Sequence, residues 1–477
     1  MTTPPSWIEV LRDGRAGPTL VLTLAVGLHA IDVFVISTVM PGVVADIGGA
    51  AFYAWPTMIY MVASIVGAAS AAPLRNRLGG RAGFVAGGLV FLAGSGACGA
   101  SPTMLVLLLG RTAQGFGGGL LLSLSMALVS ELFVAALRTR VLALVSGMWG
   151  VAALLGPLLG GLFAQLHWWR GAFLVTLPII AGFTLVAWLT LPARPAGAAG
   201  RPRPAQFPWQ RLALLSAGVL SVGAASAVAG ALPQAALILL ALPLVGAAIL
   251  LDARAANRLF PTAPLSLIQP VGMANWIYIL HALTYTSINI FLPLSLQVLH
   301  GAPPLVAGYM IAALAVSWTA ASFATAGWRG RGEMAAVVGG QALAVIGMGG
   351  LTLGIVSLPL WAIGGLAALT GFGIGACNLH LTSRTLRLAR RGEESLTAGA
   401  IPTMRSIGIA FAAALAGLLA NLAGLDRGIA GPSVAAAARL VDGLATLAPL
   451  LALLLVLRLR RAGDGTPAAA PAIATPD

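Results

Sequence analysis

The sequence predicts an all-α polytopic membrane protein with fourteen spans and both termini cytoplasmic, and three observations predict it. Only 8% of the 477 residues are charged while 59% are hydrophobic, with a mean hydropathy of +0.95; soluble domains are about one-quarter charged. Apolar runs long enough to cross a hydrocarbon layer as helices recur along the whole chain. The arginines, finally, fall in alternate loops, as they do where basic residues stay on the cytoplasmic side.

The runs occupy 18–40, 52–73, 83–100, 104–129, 141–165, 171–190, 211–229, 233–251, 272–298, 304–327, 335–355, 359–380, 398–422 and 440–457. All 27 basic residues are arginine, and there is no lysine. With the termini inside, twenty-two of the 27 lie in the amino-terminal segment, every second loop and the tail. Arg170, Arg427 and Arg439 lie on the opposite side, and Arg111 and Arg405 inside spans. The net charge of +14 therefore reports orientation and contact with anionic lipid rather than nucleic acid. The segment 1–17 reads as a cytoplasmic leader into a retained first helix. A Pro-, Gly- and Arg-rich stretch at 191–210 reads as a flexible linker closing a first block at 18–190. Two further helices at 211–251, a linker at 252–271, a second block at 272–457 and a tail at 458–477 complete the organisation.

Chemistry concentrates at few positions. Asp32 lies in the middle of "LHAIDVFVIS", one turn after His29, and is the only carboxylate placed deep inside a span; Asp46, Asp426 and Asp442 are read as lying on the outer side. An acid in a membrane helix is costly unless it faces protein or water and has a task. Such a carboxylate can trade protons with water, and His29 could share or relay the proton. "LLGRTAQGFGGG" puts a second costly group, Arg111, one turn before Gln114 and a run of glycines that lets another helix approach closely. Gly147, Gly150, Gly156, Pro157, Gly160 and Gly161 make the fifth run thin and bent, which suits a moving interface. In the ninth run Tyr278, His281, Tyr285 and Asn289 share one helical stripe, extended by Asn275, and are expected to face a solute cavity rather than lipid. Trp55, Tyr60, Trp149 and Asn378 are further candidates for its wall. Cys98 and Cys377 read as buried free thiols. The chain has no Walker lysine, no C-x-x-C and no spaced histidine cluster, which excludes the usual ATP-driven engine and a metal centre. No enzyme chemistry and no cofactor are expected.

These motifs carry a resemblance. "LLGRTAQGFGGG" resembles motif B of the major facilitator superfamily, "GMWGVAALLGPLLGG" its antiporter motif C, and "APLRNRLGGRAG" its motif A, with Arg77, Gly79 and Arg81 in place but Asn76 for the usual acid and Gly80 for a usual basic residue. "FLPLSLQVLHGAPPLVAGYM" and "GAIPTMRSIG" are similar to the fourteen-span drug/proton antiporter branch, and the latter puts Arg405 at that branch's helix-thirteen arginine. The resemblance implies the major facilitator fold: two pseudo-symmetric six-helix bundles rocking about a central cavity, plus two inserted helices, in a bacterial inner membrane. It implies proton-coupled export of amphipathic organic compounds, with Asp32 and Arg111 exchanging the proton. Gln114, Trp149, Asn275, Tyr278, His281, Tyr285, Asn289, Asn378 and Arg405 would line the cavity. Arg77, Gly79, Arg81 and the motif C residues would serve conformational switching. The expected partners are a small organic solute, protons and lipid, with the protein a monomer. A proton-coupled importer or a lipid or metabolite exporter on the same scaffold, and a non-transporting receptor or scaffold, are the alternatives.

Overall fold

The computed structural model describes residues 7–193 and 207–464. The middle of the expected linker, the tail beyond 464 and residues 1–6 lie outside the described residues. Among the described residues, fifteen α-helices follow in order: α1 Ala16–Ile47, α2 Trp55–Leu78, α3 Gly80–Gly99, α4 Met104–Leu132, α5 Ala135–Gln165, α6 Gly171–Leu174, α7 Leu177–Thr190, α8 Trp209–Ala225, α9 Ala231–Ala253, α10 Pro270–Leu299, α11 Pro304–Thr325, α12 Arg331–Gly354, α13 Leu360–Arg387, α14 Glu394–Leu422 and α15 Gly431–Asp464. No strand occurs among them. Local chemistry marks several starts: Thr103 caps α4 by accepting the Val106 N–H at 3.4 Å, and Pro56, Pro178, Pro270 and Pro304 occupy first turns, where a missing N–H costs nothing.

Thirteen of the described stretches are long and apolar enough to cross a membrane. The predicted span 211–229 is the exception, because α8 has only 17 residues. The motif A-like segment at 72–83, which starts and ends at the edges of the runs 52–73 and 83–100, is nearly all helix: α2 runs through Leu78, and Gly79, at φ +87°, makes the turn alone into α3. The run 171–190 is broken between α6 and α7. Two acids read on the outer side belong to helices. Asp46 ends α1, and Asp442 lies inside α15, which starts nine residues before the expected 440. The apolar criterion stopped at Arg439, whereas backbone hydrogen bonding did not.

In the amino-terminal half, glycines let backbones touch. A Cβ added to Gly115 would stand 2.9 Å from Tyr60 Cα, and one on Gly119 2.7 Å from Ser64 Cα, so α4 lies directly against α2. Gly94 does the same for α3 against α4, where an added Cβ would meet the Gln114 nitrogen at 2.5 Å. Helices α10 to α15 form a second group, cross-linked by buried polar bonds such as Gln341 Nε2 to the Pro449 carbonyl at 2.9 Å.

The contacts joining the two groups lie toward the arginine-poor end. Gly161 of α5 sits under Leu305, and Pro157 under Gly308 of α11. Gln297 of α10 donates to the Thr38 carbonyl of α1 at 3.4 Å, and Asn421 of α14 donates to the Ala51 carbonyl at 2.8 Å. Nearer the arginine-rich end the face of α5 that carries Gly147 and Gly150 is open. Cβ atoms at Gly147 and Gly150 would meet nothing within 4 Å, and Trp149 is 41% exposed. The halves are thus closed at the arginine-poor end and parted toward the other.

The pair α8–α9 is fastened at both ends. At one end the buried Arg211 pairs with Asp252, which also accepts the Leu259 and Phe260 N–H groups at 2.9 and 3.0 Å. The segment that follows reaches α14: Glu393 accepts the Thr262 N–H at 3.0 Å and the Thr262 hydroxyl. At the other end Trp55 Nε1 donates to Ser226 Oγ at 3.1 Å, and Asn421 donates to the Ser226 carbonyl at 2.9 Å. Burial works to raise the Glu393 carboxyl, but the two Thr262 bonds, with Arg258 and Arg390 nearby, outweigh it and hold the group below its ordinary value. A carboxyl lowered by folding stabilises above its unfolded pKa, and the contribution fades as pH falls through the folded value. Amide exchange at Thr262 is therefore expected to quicken as pH drops below about 4.5, beyond the intrinsic pH dependence of exchange, and Glu393→Gln should flatten that response. An equal acid response in the variant would place the weak point elsewhere.

Candidate coupling site and solute path

At mid-helix in α1, Asp32 is 7% exposed, and Arg111 of α4 is wholly buried against it. The Arg111 guanidinium donates through Nη1 to Asp32 Oδ2 and, at 2.9 Å, to Gln114 Oε1; its Nε reaches the Pro56 carbonyl at 3.3 Å. Gln114 Nε2 donates to Asp32 Oδ1 at 3.1 Å and to Ser95 Oγ at 2.9 Å, and Cys98 Sγ donates to Gln114 Oε1 at 3.2 Å. The Tyr60 ring lies 4.2 Å from the guanidinium carbon, a cation–π contact. Both carboxylate oxygens are therefore engaged. The second terminal nitrogen of Arg111, Nη2, is buried without an acceptor.

The α4 glycines make this possible. Gly115 and Gly119 bring α2, with Tyr60 and the Pro56 carbonyl, against the guanidinium, and the Gly94–Gln114 contact brings Ser95 and Cys98 within reach of the amide. Gly118 leaves room for His29 and the Tyr60 hydroxyl, which would stand 3.0 Å from an added Cβ. His29 Nδ1 bonds that hydroxyl at 2.8 Å. The imidazole thus connects to the pair through the Tyr60 ring rather than by a bond to Asp32, the partner that helical spacing suggests. Tyr60, expected on the cavity wall, is wholly buried in this cluster. Nothing in the sequence marks Ser95 and Cys98 for the site, because a hydroxyl and a thiol in a glycine-rich helix look like small packing residues. Cys98 and Cys377 are both free and buried.

A pair held this way is stable in one charge state. Ionised Asp32 offsets Arg111, and protonating it removes the one counter-charge that the guanidinium has among the described residues. The arrangement can therefore couple proton occupancy to the packing of α1, α2 and α4.

The α10 residues diverge from one another. Tyr278 bonds Thr385 of α13 at 3.1 Å, and His281 Nε2 bonds Gln341 of α12 at 2.6 Å, both inside the carboxy-terminal half. Asn275 donates to the Pro264 carbonyl at 2.9 Å and so anchors the preceding loop. Tyr285 meets Trp318 edge-on, with centroids 5.8 Å apart, and Asn289 keeps a buried amide nitrogen without a partner. Arg405 of α14 donates to Asn378 of α13 at 2.6 Å and lies over the Tyr278 ring. Trp149 approaches His29 edge-on at 6.2 Å. A cavity of about 550 Å³ lies in the arginine-poor seam, lined in part by Gln297, Asp426 and Arg427. Another, of about 450 Å³, lies beside Trp328, Glu333 and His380. None of the expected solute contacts lines either one.

Among the switching candidates, Gly156 and Gly160 press on α1, where added Cβ atoms would meet Phe34 Cβ at 2.5 Å and the Val35 carbonyl at 3.0 Å. Arg77 ends α2, and Arg81 stacks on Trp188 at 4.1 Å. The ion pair joining α2 to α4 at this level is Arg75–Glu131, at 2.7 Å, which motif spacing does not indicate. No cluster of metal ligands occurs among the described residues.

The architecture is that of a multi-pass helical membrane transporter. The family model of the Major Facilitator Superfamily matches residues 22–413, and the chain belongs to that family. It is 35% identical over 433 residues to a probable multidrug-efflux transporter of Mycobacterium tuberculosis, covering 88% of this chain and 90% of that protein. A shorter match, 30% over 176 residues and 36% and 32% of the two chains, is to a multidrug transporter protein of Bacillus subtilis. Among solved structures, a bacterial homologue of the human lysosomal transporter Spinster has a TM-score of 0.64 at 15% identity, covering 94% of this chain and 97% of that one. A D-xylose–proton symporter likewise has 0.64 at 14%, covering 94% and 98%. At those identities the structural likeness shows the fold alone.

Proposed function

We propose that this transporter exports amphipathic organic compounds in exchange for protons, by alternating access across a bacterial inner membrane. The observation that carries the reading is the buried Asp32–Arg111–Gln114 network: a carboxylate and a guanidinium, each too costly in a span to be incidental, are placed on each other in the middle of α1 and α4. The efflux named for the mycobacterial relative supports the direction. In this reading α8 completes fourteen spans, the arginine-rich end is cytoplasmic, and the parted halves face inward. Protonation of Asp32 loosens Arg111, and that change in the packing of α1, α2 and α4 biases the next rocking step. The test is a respiration-driven pH gradient in everted vesicles, challenged with solutes. Adding an exported compound should partly collapse the gradient in proportion to its uptake; a confirmed solute moving with no proton movement would overturn the mechanism.

A further inference from the structure

Among the described residues, the two arginines that are buried outright, Arg111 and Arg211, each hold a carboxylate. Arg405 does not. It is half-buried in α14, eleven residues in from the helix's arginine-rich end, and its polar contact is the Asn378 amide oxygen at 2.6 Å. Its guanidinium carbon lies 5.2 Å from the centre of the Tyr278 ring, whose hydroxyl is turned away to Thr385. No ion pair to Arg405 exists among the described residues, and Asp32, the acid deep in the facing half, is spent on Arg111. A guanidinium in a membrane span needs a counter-charge from protein, water or ligand. Asn378 fixes one edge of the fork and the phenol ring covers one face, and the remaining N–H groups have no partner among the described residues.

We propose that Arg405 receives the acid group of the transported solute, so that the compounds carried are organic anions: amphipathic molecules bearing a carboxylate, sulfonate or phosphate. Asn378 and Tyr278 act as positioning residues that hold the fork, which matches an oxyanion in two-pronged geometry. The inference rests on the proposed transport of an organic solute but not on proton coupling or direction.

Two xanthene dyes of closely similar ring size and opposite charge, fluorescein and rhodamine 123, separate the possibilities. Their binding to the full-length protein in nanodiscs is followed by fluorescence anisotropy, with gluconate as the only mobile anion. The wild type is expected to bind fluorescein more tightly than rhodamine 123. Arg405→Gln should weaken fluorescein by about 10- to 100-fold, the loss expected for a charge-assisted hydrogen bond, and shift the ranking toward the cation. Arg405→Lys should recover part of the loss, because it restores charge without the fork. A wild type that prefers rhodamine 123, or an Arg405→Gln protein that loses both dyes equally, overturns the proposal. So does displacement of fluorescein by millimolar chloride, which would make a halide the natural counter-ion. Because these readouts need no gradient, failure of proton exchange would leave them standing, and their failure would leave proton exchange standing.

Discussion

Asp32→Asn is expected to abolish uphill transport while leaving a folded protein that still binds solute. Asn is nearly isosteric with the protonated acid, and its amide oxygen can still accept from Arg111, which also keeps the Pro56 carbonyl, Gln114 and the Tyr60 face. The variant would be locked in the proton-bound state and have no proton to give up. Concentrative uptake into everted vesicles should fall to the passive leak, whereas counterflow, which needs only a solute gradient, should persist. Where proton and solute bind antagonistically, linkage requires the effect to be reciprocal, so the pH dependence of solute binding should flatten in the variant. Wild-type concentrative transport by Asp32→Asn would reduce this acid to a structural bond.

The second large effect is on stability. Arg111→Gln leaves the Asp32 carboxylate in the interior with one remaining hydrogen bond, from Gln114. Removing one partner of a buried ion pair costs about 3–5 kcal/mol, enough to be seen as a lower melting midpoint in detergent and poorer recovery from the membrane. The double variant Asp32→Asn/Arg111→Gln removes both charges and should regain most of that loss. A double variant as unstable as Arg111→Gln alone would mean that Arg111 matters for shape, through Tyr60 and Pro56, more than for charge.

Much of this site is legible in the sequence, and the reason is cost. An acid in one apolar run and a cation in another, each expensive alone, stand out on composition and hydropathy, the family resemblance links them, and the α4 glycines announce a close helix contact. What escapes is direction. Spacing puts Tyr278, His281, Tyr285 and Asn289 on one side of α10 but cannot say whether that side meets a neighbouring helix or a gap, and Tyr278 and His281 bond to α13 and α12. Hydropathy likewise starts the last span late, at 440, because Arg439 interrupts the apolar run over a segment whose backbone is already helical from Gly431. The Arg75–Glu131 bridge joins residues from two helix ends that only the tertiary fold brings together.

The α8–α9 hairpin raises a question of adhesion. In water two apolar helices are held together because burial removes their surfaces from solvent; in a bilayer, lipid tails wet a leucine as well as another leucine does. The Ala400, Met404 and Ile407 face of α14, which packs with Leu215 and Ala248 of the hairpin, would accordingly be almost as content against acyl chains. The hairpin is held like a strip of cloth basted at its two hems, by Arg211–Asp252 and Thr262–Glu393 at one edge and by Ser226 with Trp55 and Asn421 at the other. With those stitches cut, the seam between would fill with lipid, and the two helices would drift from the remaining bundle without either part unfolding.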